Sequence, residues 1–534
     1  MATGGEVLVA ALRELGVEVA FGLPGVHNLA AWKAFPGSGI RLVGVRHEQT
    51  AGYAADGYAR ATGRLGVALT TTGPGAANVV TATGEAWACH SPVLVIATDI
   101  PSTVRQPGRF RGVLHETTDQ ASFFRPVTKG CLRVGALERL YDDVVAAGRL
   151  AMRMPRRPVY VEVPTDFLSM TSTMPVAGAP PGHPPPDPGW PDDAGLAAAI
   201  DLIAQARRPL IWAGGGASAA GASDHVAQLA TWCGAPVLTS YGGRGILAPD
   251  HPALVPLPPQ VPEAGQLWDA ADLVVVLGSD LDAMNTQGFR QPAPPAVVTV
   301  DLAEPVNLLP DVWLAGDVRD VLEALLAGLY AAPRRQPWFT RPAGRELYAG
   351  PETAFLDAFE AGLPEDAVVL ADMCIAGYWY GGFGRVRHAR GLAYPVGWGT
   401  LGFGFPAGLG ASLSGRPAVS LVGDGGFLFA CGDLATAAQE RLPLTVVLVD
   451  DGGYGMLSYD FRKDGEEPVG CDLEPPDFVA LARSFRVDAE QVTVGGLSRA
   501  LAAAVASSQP RMLVVKAAFT PPPNTSPRWY RAAG

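Results

Sequence analysis

The sequence predicts an α/β protein made of three consecutive doubly wound domains, each with a parallel sheet covered by helices. Short apolar runs such as 19–22, 209–213 and 418–422 recur through the 534 residues and alternate with segments of helical pattern. Runs of this length between turn residues are typical of buried parallel strands. Two proline-rich stretches separate three such series, so the alternation predicts three domains.

The composition favours a large soluble enzyme of the cytoplasm. The net charge is −12 without long runs of one sign, which argues against nucleic acid or an anionic membrane surface as the partner. The apolar stretches are short, and the N-terminus lacks a basic region followed by a cleavage site. We therefore expect neither a transmembrane helix nor a signal peptide. Six cysteines lie far apart with no C-x-x-C pair, as expected for reduced, buried thiols.

The predicted domains follow the proline-rich stretches. Residues 1–174 form the N-terminal domain, and residues 175–193 form a surface linker, because their proline density is incompatible with a regular element. The central domain is 194–330, and a second linker, 331–346, precedes the C-terminal domain, 347–534. The predicted strands are 19–22, 42–45, 67–71, 209–213, 236–239, 273–277, 297–300, 367–371, 418–422 and 445–449.

The functional prediction depends on residues 418–453. A buried strand runs into Gly423-Asp424-Gly425-Gly426, a tight turn whose amides can face an anion. A helix from about Phe429 to Glu440 then leads to a second strand, which ends before Asp450-Asp451-Gly452-Gly453. Strands joined through a helix are parallel neighbours, so Asp424 and Asp451 are predicted at the same sheet edge. This edge suits a metal that bridges protein carboxylates to a diphosphate.

This stretch resembles the thiamine diphosphate motif, in which Gly-Asp-Gly is followed further along by a pair of asparagines. On this motif the chain is identified as a member of the thiamine-diphosphate-dependent 2-keto acid enzymes, such as acetolactate synthase, pyruvate oxidase and benzoylformate decarboxylase. The resemblance implies a pyrimidine-binding N-terminal domain, a nucleotide-fold-like central domain and a diphosphate-binding C-terminal domain. It also implies Mg²⁺ bound by Asp424, Asp451 and the main-chain carbonyl of Gly453.

The chain departs from the family pattern at Asp450-Asp451, where relatives usually have Asn-Asn. Both residue types offer a hard oxygen, so metal coordination is expected to survive. The additional negative charge beside Asp424 is expected either to strengthen metal binding or to weaken cofactor binding without metal.

Glu48 follows a predicted strand and begins a helix of small residues in RHEQTAGYAADGYA. A buried charge at that position needs a partner. The resemblance implies that this partner is the aminopyrimidine ring of the cofactor, which Glu48 activates by hydrogen bonding. The alternative is that Glu48 only caps the helix or pairs with Arg46. The metal motif favours the catalytic role.

Other cofactor contacts are implied by the resemblance. In the glycine-rich segment 394–413, Leu401 matches the apolar residue that holds the cofactor in a bent shape, although ordinary core packing is the alternative. The complete set of implied cofactor-binding residues is Pro24, Glu48, Thr72, Gly73, Cys374, Ile375, Gly399, Leu401, Gly423, Asp424, Gly425, Gly426, Asp451, Gly453, Tyr454, Gly455 and Met456.

Two histidines are candidate proton donors in the N-terminal domain. The segments 70–80 and 114–119 resemble acetolactate synthase and its carboligating relatives, with His115 in place of the usual glutamine, whereas the paired histidines of pyruvate decarboxylase are absent. His115 and His27 suit proton transfer because imidazole titrates near neutral pH. Each has the alternative of a hydrogen-bonding pocket residue, which the sequence favours for His27.

The resemblance implies decarboxylation of a 2-keto acid and transfer of the acyl-anion equivalent to a second carbonyl, as in an acetolactate-synthase-like carboligase. One alternative is a simple decarboxylase of the benzoylformate decarboxylase type, since DDGGYGML looks like that enzyme's corresponding segment. Another is a non-catalytic thiamine diphosphate-binding protein, supported only by Asp450-Asp451. FAD is a disfavoured further cofactor because the chain is short for a flavin-bearing member. A homodimer or homotetramer with active sites between subunits is implied.

Overall fold

The computed structural model describes residues 1–172, 189–330 and 333–524. These residues form three parallel sheets and one small antiparallel pair of strands, which confirms the predicted fold class. The linker predicted over 175–193 falls largely outside the described residues, as does the start of the second linker, and the domain boundaries stay predictions. No helix in the described part of the chain has the length and apolar character needed to cross a membrane.

The N-terminal domain contains a six-stranded parallel sheet. The strands of the domain, including two outside this sheet, are β1 (Ala2–Thr3), β2 (Val19–Gly22), β3 (Arg41–Gly44), β4 (Gly66–Thr70), β5 (Val93–Asp99), β6 (Cys131–Arg133), β7 (Val159–Pro164) and β8 (Thr171–Ser172). Its α-helices are α1 (Gly4–Glu14), α2 (Leu29–Trp32), α3 (Glu48–Thr62), α4 (Pro74–Asn78), α5 (Val80–Ala88), α6 (Leu140–Met152) and α7 (Thr165–Ser169). The sheet order is β3-β2-β4-β5-β7-β6, while β1 and β8 pair antiparallel.

The central domain contains a five-stranded parallel sheet with the order β10-β9-β11-β12-β13. Its strands are β9 (Pro209–Ala213), β10 (Val237–Thr239), β11 (Leu273–Leu277), β12 (Val297–Asp301) and β13 (Val312–Ala315). Its α-helices are α8 (Asp193–Gln205), α9 (Gly215–Ala219), α10 (Ser223–Cys233), α11 (Pro262–Ala270) and α12 (Val318–Leu329). The fully buried β9 and β11 have the bounds that the apolar runs predict.

The C-terminal domain contains a second six-stranded parallel sheet, with the order β15-β14-β16-β17-β19-β18. Its strands are β14 (Val368–Ala371), β15 (Leu392–Ala393), β16 (Ala418–Gly423), β17 (Leu444–Asp450), β18 (Asp488–Gln491) and β19 (Arg511–Lys516). Its α-helices are α13 (Pro351–Ala361), α14 (Ile375–Phe383), α15 (Gly404–Ala411), α16 (Asp424–Phe427), α17 (Leu434–Gln439), α18 (Gly455–Lys463), α19 (Phe478–Ser484) and α20 (Val494–Val505).

The single helix predicted from Phe429 to Glu440 is wrong. A 3₁₀ turn at Cys431–Asp433 comes first, and α17 begins only at Leu434. Asp433 fixes this turn because its carboxylate accepts hydrogen bonds from the Arg46 amide (2.7 Å) and the Thr50 hydroxyl (2.6 Å). A contact with the N-terminal domain therefore overrides the local helical pattern.

The two outer domains pack through α3 and α15. A Cβ at Gly57 would lie 2.0 Å from the Ala407 carbonyl oxygen, and one at Gly410 would lie 1.8 Å from the Ala54 carbonyl oxygen. Glycine is required at both positions because the helix backbones touch. The two contacts pair the later part of one helix with the earlier part of the other, so the helices run antiparallel.

Candidate active site

Glu48 is a buried carboxylate at the first position of α3. The helix begins there because the His47 side chain caps it, with Nδ1 accepting a hydrogen bond from the Gln49 amide (3.1 Å). Glu48 is 6% exposed, and its Oε2 accepts a hydrogen bond from Asn78 Nδ2 at 2.9 Å. The Arg46 side chain donates instead to the Gly44 carbonyl (3.1 Å) and to Gln439 Oε1 (2.7 Å), and no ion pair joins it to Glu48 among the described residues. The carboxylate is thus held without a neutralising cation.

The turn after β4 lies directly against Glu48. A Cβ at Gly75 would lie 2.7 Å from Thr71 Cγ2 and 3.2 Å from Glu48 Oε1. Gly73 has a φ of +65°, which favours glycine, and its amide donates a hydrogen bond to Gln120 Oε1 at 2.6 Å. This turn, which contains the predicted cofactor contacts Thr72 and Gly73, therefore has a fixed position beside the carboxylate.

Gln120 is a buried residue that sequence reasoning missed. Its Nε2 donates to the Thr98 carbonyl (2.9 Å) and the Tyr160 hydroxyl (2.8 Å), while its Oε1 binds the Gly73 amide. It ties the cofactor-facing turn to β5 and β7. Asn78 was missed as well, although it lies within the segment 70–80. Its amide side chain, three residues after Gly75, was the available clue.

The structure brings His27 and His115 together, although they lie on different loops. Their ring centroids are 5.3 Å apart, at an angle of 49°. His27 is 9% exposed, and its pKa is lowered, first by burial and then by the nearby His115 ring. His115 has a φ of +66°, and its carbonyl oxygen would lie 2.5 Å from a Cβ at Gly73. The pair is therefore next to the turn that lies against Glu48, whereas Pro24, also predicted here, is exposed.

Asp424 and Asp451 meet at the edge of the C-terminal sheet, as β16 and β17 are parallel neighbours. Asp424 is 1% exposed; its Oδ1 accepts a hydrogen bond from the Gly425 amide (2.7 Å) and its Oδ2 accepts one from the Gly452 amide (3.0 Å). Burial, and then the negative charge of Asp424, raise the pKa of Asp451 to about 7. A buried carboxylate that is hydrogen-bonded to a half-buried one requires a cation or a proton between them.

Glycines around this pair are required by close contacts. A Cβ at Gly423 would lie 2.8 Å from the Cys374 Cβ, and one at Gly425 would lie 2.8 Å from the Tyr454 ring. Gly453 has a φ of +147° and would place a Cβ 2.2 Å from the Cys471 carbonyl oxygen. The backbone can therefore approach a ligand at positions where any side chain would be excluded.

The other predicted C-terminal contacts surround the same edge. Gly455 packs against both Asp451 and the Ile375 side chain, and a Cβ there would lie 2.3 Å from Asp451 Oδ2. Met456 is half-buried at the start of α18. Leu401 is also half-buried and lies between Gly399 and Gly402, two glycines with positive φ (+69° and +77°).

Asp372 is a third residue that the sequence did not predict as part of the site. Its side chain accepts hydrogen bonds from the amides of Gly402 and Gly404, both at 3.1 Å, and from the Met373 amide at 2.8 Å. Burial raises its pKa to about 6. It fixes the segment with Leu401 against the loop with Cys374, two segments that are predicted to contact the cofactor.

The two groups of residues do not meet within one chain. Counted from the contact between Gly57 and Ala407, Glu48 lies at one end of the antiparallel pair α3/α15 and Gly404 lies at the other. With a rise of about 1.5 Å per residue, these two positions are roughly 18 Å apart along the pair. We name the residues around Glu48, His27 and His115 the N-terminal half-site, and those around Asp424 and Asp451 the C-terminal half-site.

The donor set of the C-terminal half-site fits a diphosphate with a divalent cation. Two carboxylates in contact and the Gly453 carbonyl provide hard oxygen ligands. Among the described residues, no group of three or more His, Cys, Asp or Glu side chains is placed to bind a metal. A cation here would consequently depend on a main-chain oxygen and on ligand oxygens as well as on the aspartates.

Models of the thiamine pyrophosphate enzymes match three parts of the chain. The N-terminal TPP binding domain matches residues 2–123, the central domain matches 196–325 and the C-terminal TPP binding domain matches 374–515. The half-sites fall within the first and last of these matches, apart from the segment with Asp372.

Curated relatives and a solved structure agree with these matches. The "Probable 2-ketoarginine decarboxylase AruI" of Pseudomonas aeruginosa is 38% identical over 498 residues, which are 90% of this chain and 88% of that protein. The "Probable acetolactate synthase large subunit" of Methanocaldococcus jannaschii is 30% identical, over 96% of this chain and 91% of that protein. The thiamine diphosphate-dependent 4-hydroxybenzoylformate decarboxylase of Rhodococcus jostii RHA1 superimposes with a TM-score of 0.84 at 25% identity, covering 97% of this chain and all of that one.

The family matches extend over most of the chain, and the carboxylates that the motif predicts lie at the expected sheet edge. The chain belongs to the thiamine-diphosphate-dependent 2-keto acid enzymes.

Proposed function

We propose that this enzyme decarboxylates a 2-keto acid and releases the aldehyde, with Mg²⁺ anchoring the cofactor diphosphate. The observation that carries this proposal is the His27–His115 pair, whose rings lie 5.3 Å apart beside the turn that contacts Glu48. Aldehyde release requires a proton at the carbon that loses CO₂, and two adjacent imidazoles are suited to deliver it. The glutamine usual at the His115 position cannot donate a proton in this way.

Each half-site has a separate task in this proposal. Bound thiamine diphosphate supplies the electron sink that makes loss of CO₂ feasible. Glu48 holds a proton in a hydrogen bond to the aminopyrimidine ring, in a pocket where burial strengthens that bond. Asp424, Asp451 and the Gly453 carbonyl would bind Mg²⁺ beside the cofactor diphosphate.

The proposed active site lies between two copies of the chain. Within one chain the half-sites are at opposite ends of the α3/α15 pair, roughly 18 Å apart. A cofactor that contacts both Glu48 and Asp424 would therefore draw them from different subunits. This arrangement supports an obligate dimer as the smallest active unit, with a tetramer as its doubled form.

Carboligation is the second candidate. It is favoured by the acetolactate synthase relatives and by the segment 70–80, which resembles them. In that case the pocket would admit a second carbonyl compound before His27 or His115 donates a proton. The two reactions share every residue of the C-terminal half-site, and they diverge only at the histidine pair.

The first substrate to test is 2-ketoarginine, because a relative at 38% identity is named for it. The exposed end of α18 and the loop after it add modest support. Asp464, Glu466 and Glu467 outnumber Arg462 and Lys463 there, and an acidic surface favours a substrate with a guanidinium group. A binding protein without activity, the remaining alternative, has no comparable feature in its favour.

The test is turnover of 2-ketoarginine, pyruvate, benzoylformate and a branched 2-keto acid with thiamine diphosphate and Mg²⁺, followed as CO₂ and by mass spectrometry of the products. The proposal expects CO₂ and the matching aldehyde in equal amounts. A 2-hydroxy ketone or 2-acetohydroxy acid as the main product would replace it with carboligation. Absence of CO₂ from every acid would contradict both.

A further inference from the structure

Five buried polar atoms in the N-terminal half-site have no hydrogen-bond partner among the residues that the structure describes. They belong to the side chains that we name the N-terminal polar cluster: His27 Nε2, Thr71 Oγ1, Asp99 Oδ1, His115 Nδ1 and Thr117 Oγ1. Each atom has almost no solvent access. Five such atoms in one region are unusual, because buried polar atoms in folded proteins are nearly always hydrogen-bonded.

Contacts between adjacent loops connect the members of the cluster. The Thr71 side chain would lie 2.7 Å from a Cβ at Gly25, in the turn that leads to His27. His27 and His115 have their rings in contact, and Thr117 is two residues beyond His115. The polar atoms therefore come from adjacent loops at one end of the sheet.

Asp99 joins the cluster from the end of β5. It lies opposite Pro164 on the neighbouring strand, and the hydroxyl of the next residue, Thr165, donates a hydrogen bond to the His27 carbonyl at 2.5 Å. Asp99 is fully buried, and its Oδ2 is held by Arg105 (2.5 Å) and Arg133 (2.6 Å). Both bonds go to the same oxygen, which orients the carboxylate and leaves Oδ1 for another partner.

Leaving a buried polar atom without a hydrogen bond destabilises the fold, so several such atoms close together form a site where water is retained. Water in protein interiors bridges such atoms with two to four hydrogen bonds. Bound water would connect the Asp99 carboxylate with the imidazole pair and would also reach the hydroxyls of Thr71 and Thr117.

We propose that Asp99 is a positioning residue for the reaction, which acts through water bound in the N-terminal polar cluster to orient the histidine pair and to supply its counter-charge. The role rests on the proposed function, because it assumes that His27 or His115 donates the proton. The negative charge of Asp99 favours the protonated form of His27, against burial and the charge of His115, which lower the His27 pKa. The two arginines that bind Asp99 Oδ2 hold this carboxylate in a fixed orientation toward the pair.

Other charged groups face the same region and must be considered with Asp99. They are Arg105 from the loop after β5, Arg133 from β6, Tyr160 and Glu162 from β7, Glu48 from α3, and the Leu114 backbone, which also raises the His27 pKa by a hydrogen bond. The Arg105 side chain has no hydrogen-bond partner among the described residues other than Asp99. Replacing Arg105 therefore removes a positive charge from this region and keeps the Asp99 carboxylate.

The experiment compares Asp99→Asn and Arg105→Gln in the full-length protein with ¹³C-labelled histidine. The chain has only eight histidines, and a His27→Gln spectrum assigns the resonance. Asp99→Asn is expected to move the His27 titration to lower pH, and Arg105→Gln is expected to move it to higher pH. In activity, the alkaline limb of the kcat profile should follow in the same directions, and kcat of Asp99→Asn at pH 8 should fall about tenfold with little change in KM.

Opposite shifts separate this role from a structural one, since both substitutions break the same ion pair and both should lower Tm. An unchanged His27 titration in Asp99→Asn, or a shift in one direction for both variants, would overturn the proposal. If Asp99→Asn does not fold, an unchanged titration in Arg105→Gln is sufficient to overturn it. The titration needs no substrate, so a wild-type enzyme without decarboxylase activity would remove the proposed function and leave the link between Asp99 and His27 to be decided by NMR.

Discussion

The two half-sites differ in how their polar atoms are satisfied. In the C-terminal half-site, both oxygens of Asp424 accept hydrogen bonds from backbone amides, and the glycines around them fit only because side chains are absent. In the N-terminal half-site, Glu48 has one side-chain partner and the histidine pair has ring nitrogens without one. The first region is organised before ligand binding, whereas the second keeps polar atoms available. This division suits anchoring at one end of a cofactor and proton transfer at the other.

The largest effect is expected from Glu48→Gln. The substitution keeps the shape and the hydrogen bond to Asn78 but removes the carboxylate that holds the proton, so kcat should fall by at least about 100-fold. Binding of thiamine diphosphate should persist, because its anchor is in the other half-site. Steady-state CO₂ release and calorimetric cofactor titration measure the two effects separately.

Glu138→Gln is the matched control, because Glu138 is exposed and distant from either half-site. It should leave both measurements unchanged. Wild-type turnover in Glu48→Gln would show that the N-terminal half-site does not take part in the chemistry, and the comparison between the half-sites would lose its functional meaning.

Asp424→Ala should produce the converse pattern. It removes one proposed Mg²⁺ ligand, and since even residues that only support metal ligands are worth about 10–100-fold in metal affinity, the Mg²⁺-dependent affinity for thiamine diphosphate should fall at least about 100-fold. Titration of the cofactor at several Mg²⁺ concentrations measures it. Asp450→Asn, which removes a neighbouring charge that is no proposed ligand, should have a much smaller effect; equal losses in both variants would argue for a general electrostatic role.

Asp451→Asn tests the residue that departs from the family pattern. In the absence of metal, the contact between the buried Asp424 and the half-buried Asp451 opposes folding when both are ionised, so replacing Asp451 by a neutral amide should raise Tm in EDTA by a few degrees at pH 8. Saturating Mg²⁺ and cofactor should narrow the difference, because the wild-type pair then has its cation. The control is Asp464→Asn on the exposed loop after α18. A lower Tm for Asp451→Asn in EDTA would mean that the pair is stabilised by the protein alone.

Sequence predicted the C-terminal half-site better than the N-terminal one, and the difference has a physical cause. Asp424 and Asp451 each follow a strand of strongly apolar residues, and parallel pairing alone brings them together. His27 and His115 are far apart in sequence, on loops whose course depends on a positive φ at His115 and on packing against Gly73. No periodicity predicts such a meeting.

Buried polar residues were the main omission. Asp99 ends the apolar strand β5, a pattern that marks a candidate site residue, yet only its ion pairs with Arg105 and Arg133 show how it is held. Gln120 has no comparable pattern, because its three partners come from separate elements. The break before α17 was missed for the same reason, since Asp433 is fixed by a contact with the other outer domain.

The smallest predicted effect concerns Glu162, which lies behind the N-terminal half-site. Burial, and then the charge of Asp99, raise its pKa from 4.5 to about 7. The folded state thus binds a proton that the unfolded state releases, so this group destabilises the fold progressively as pH rises from about 4.5 to about 7. Glu162→Gln should gain stability relative to wild type across that window, seen as a Tm difference that grows by a few degrees and then stays constant above pH 7. A difference that does not change with pH would place the titrating charge elsewhere and would weaken the view that this half-site keeps its charges incompletely compensated.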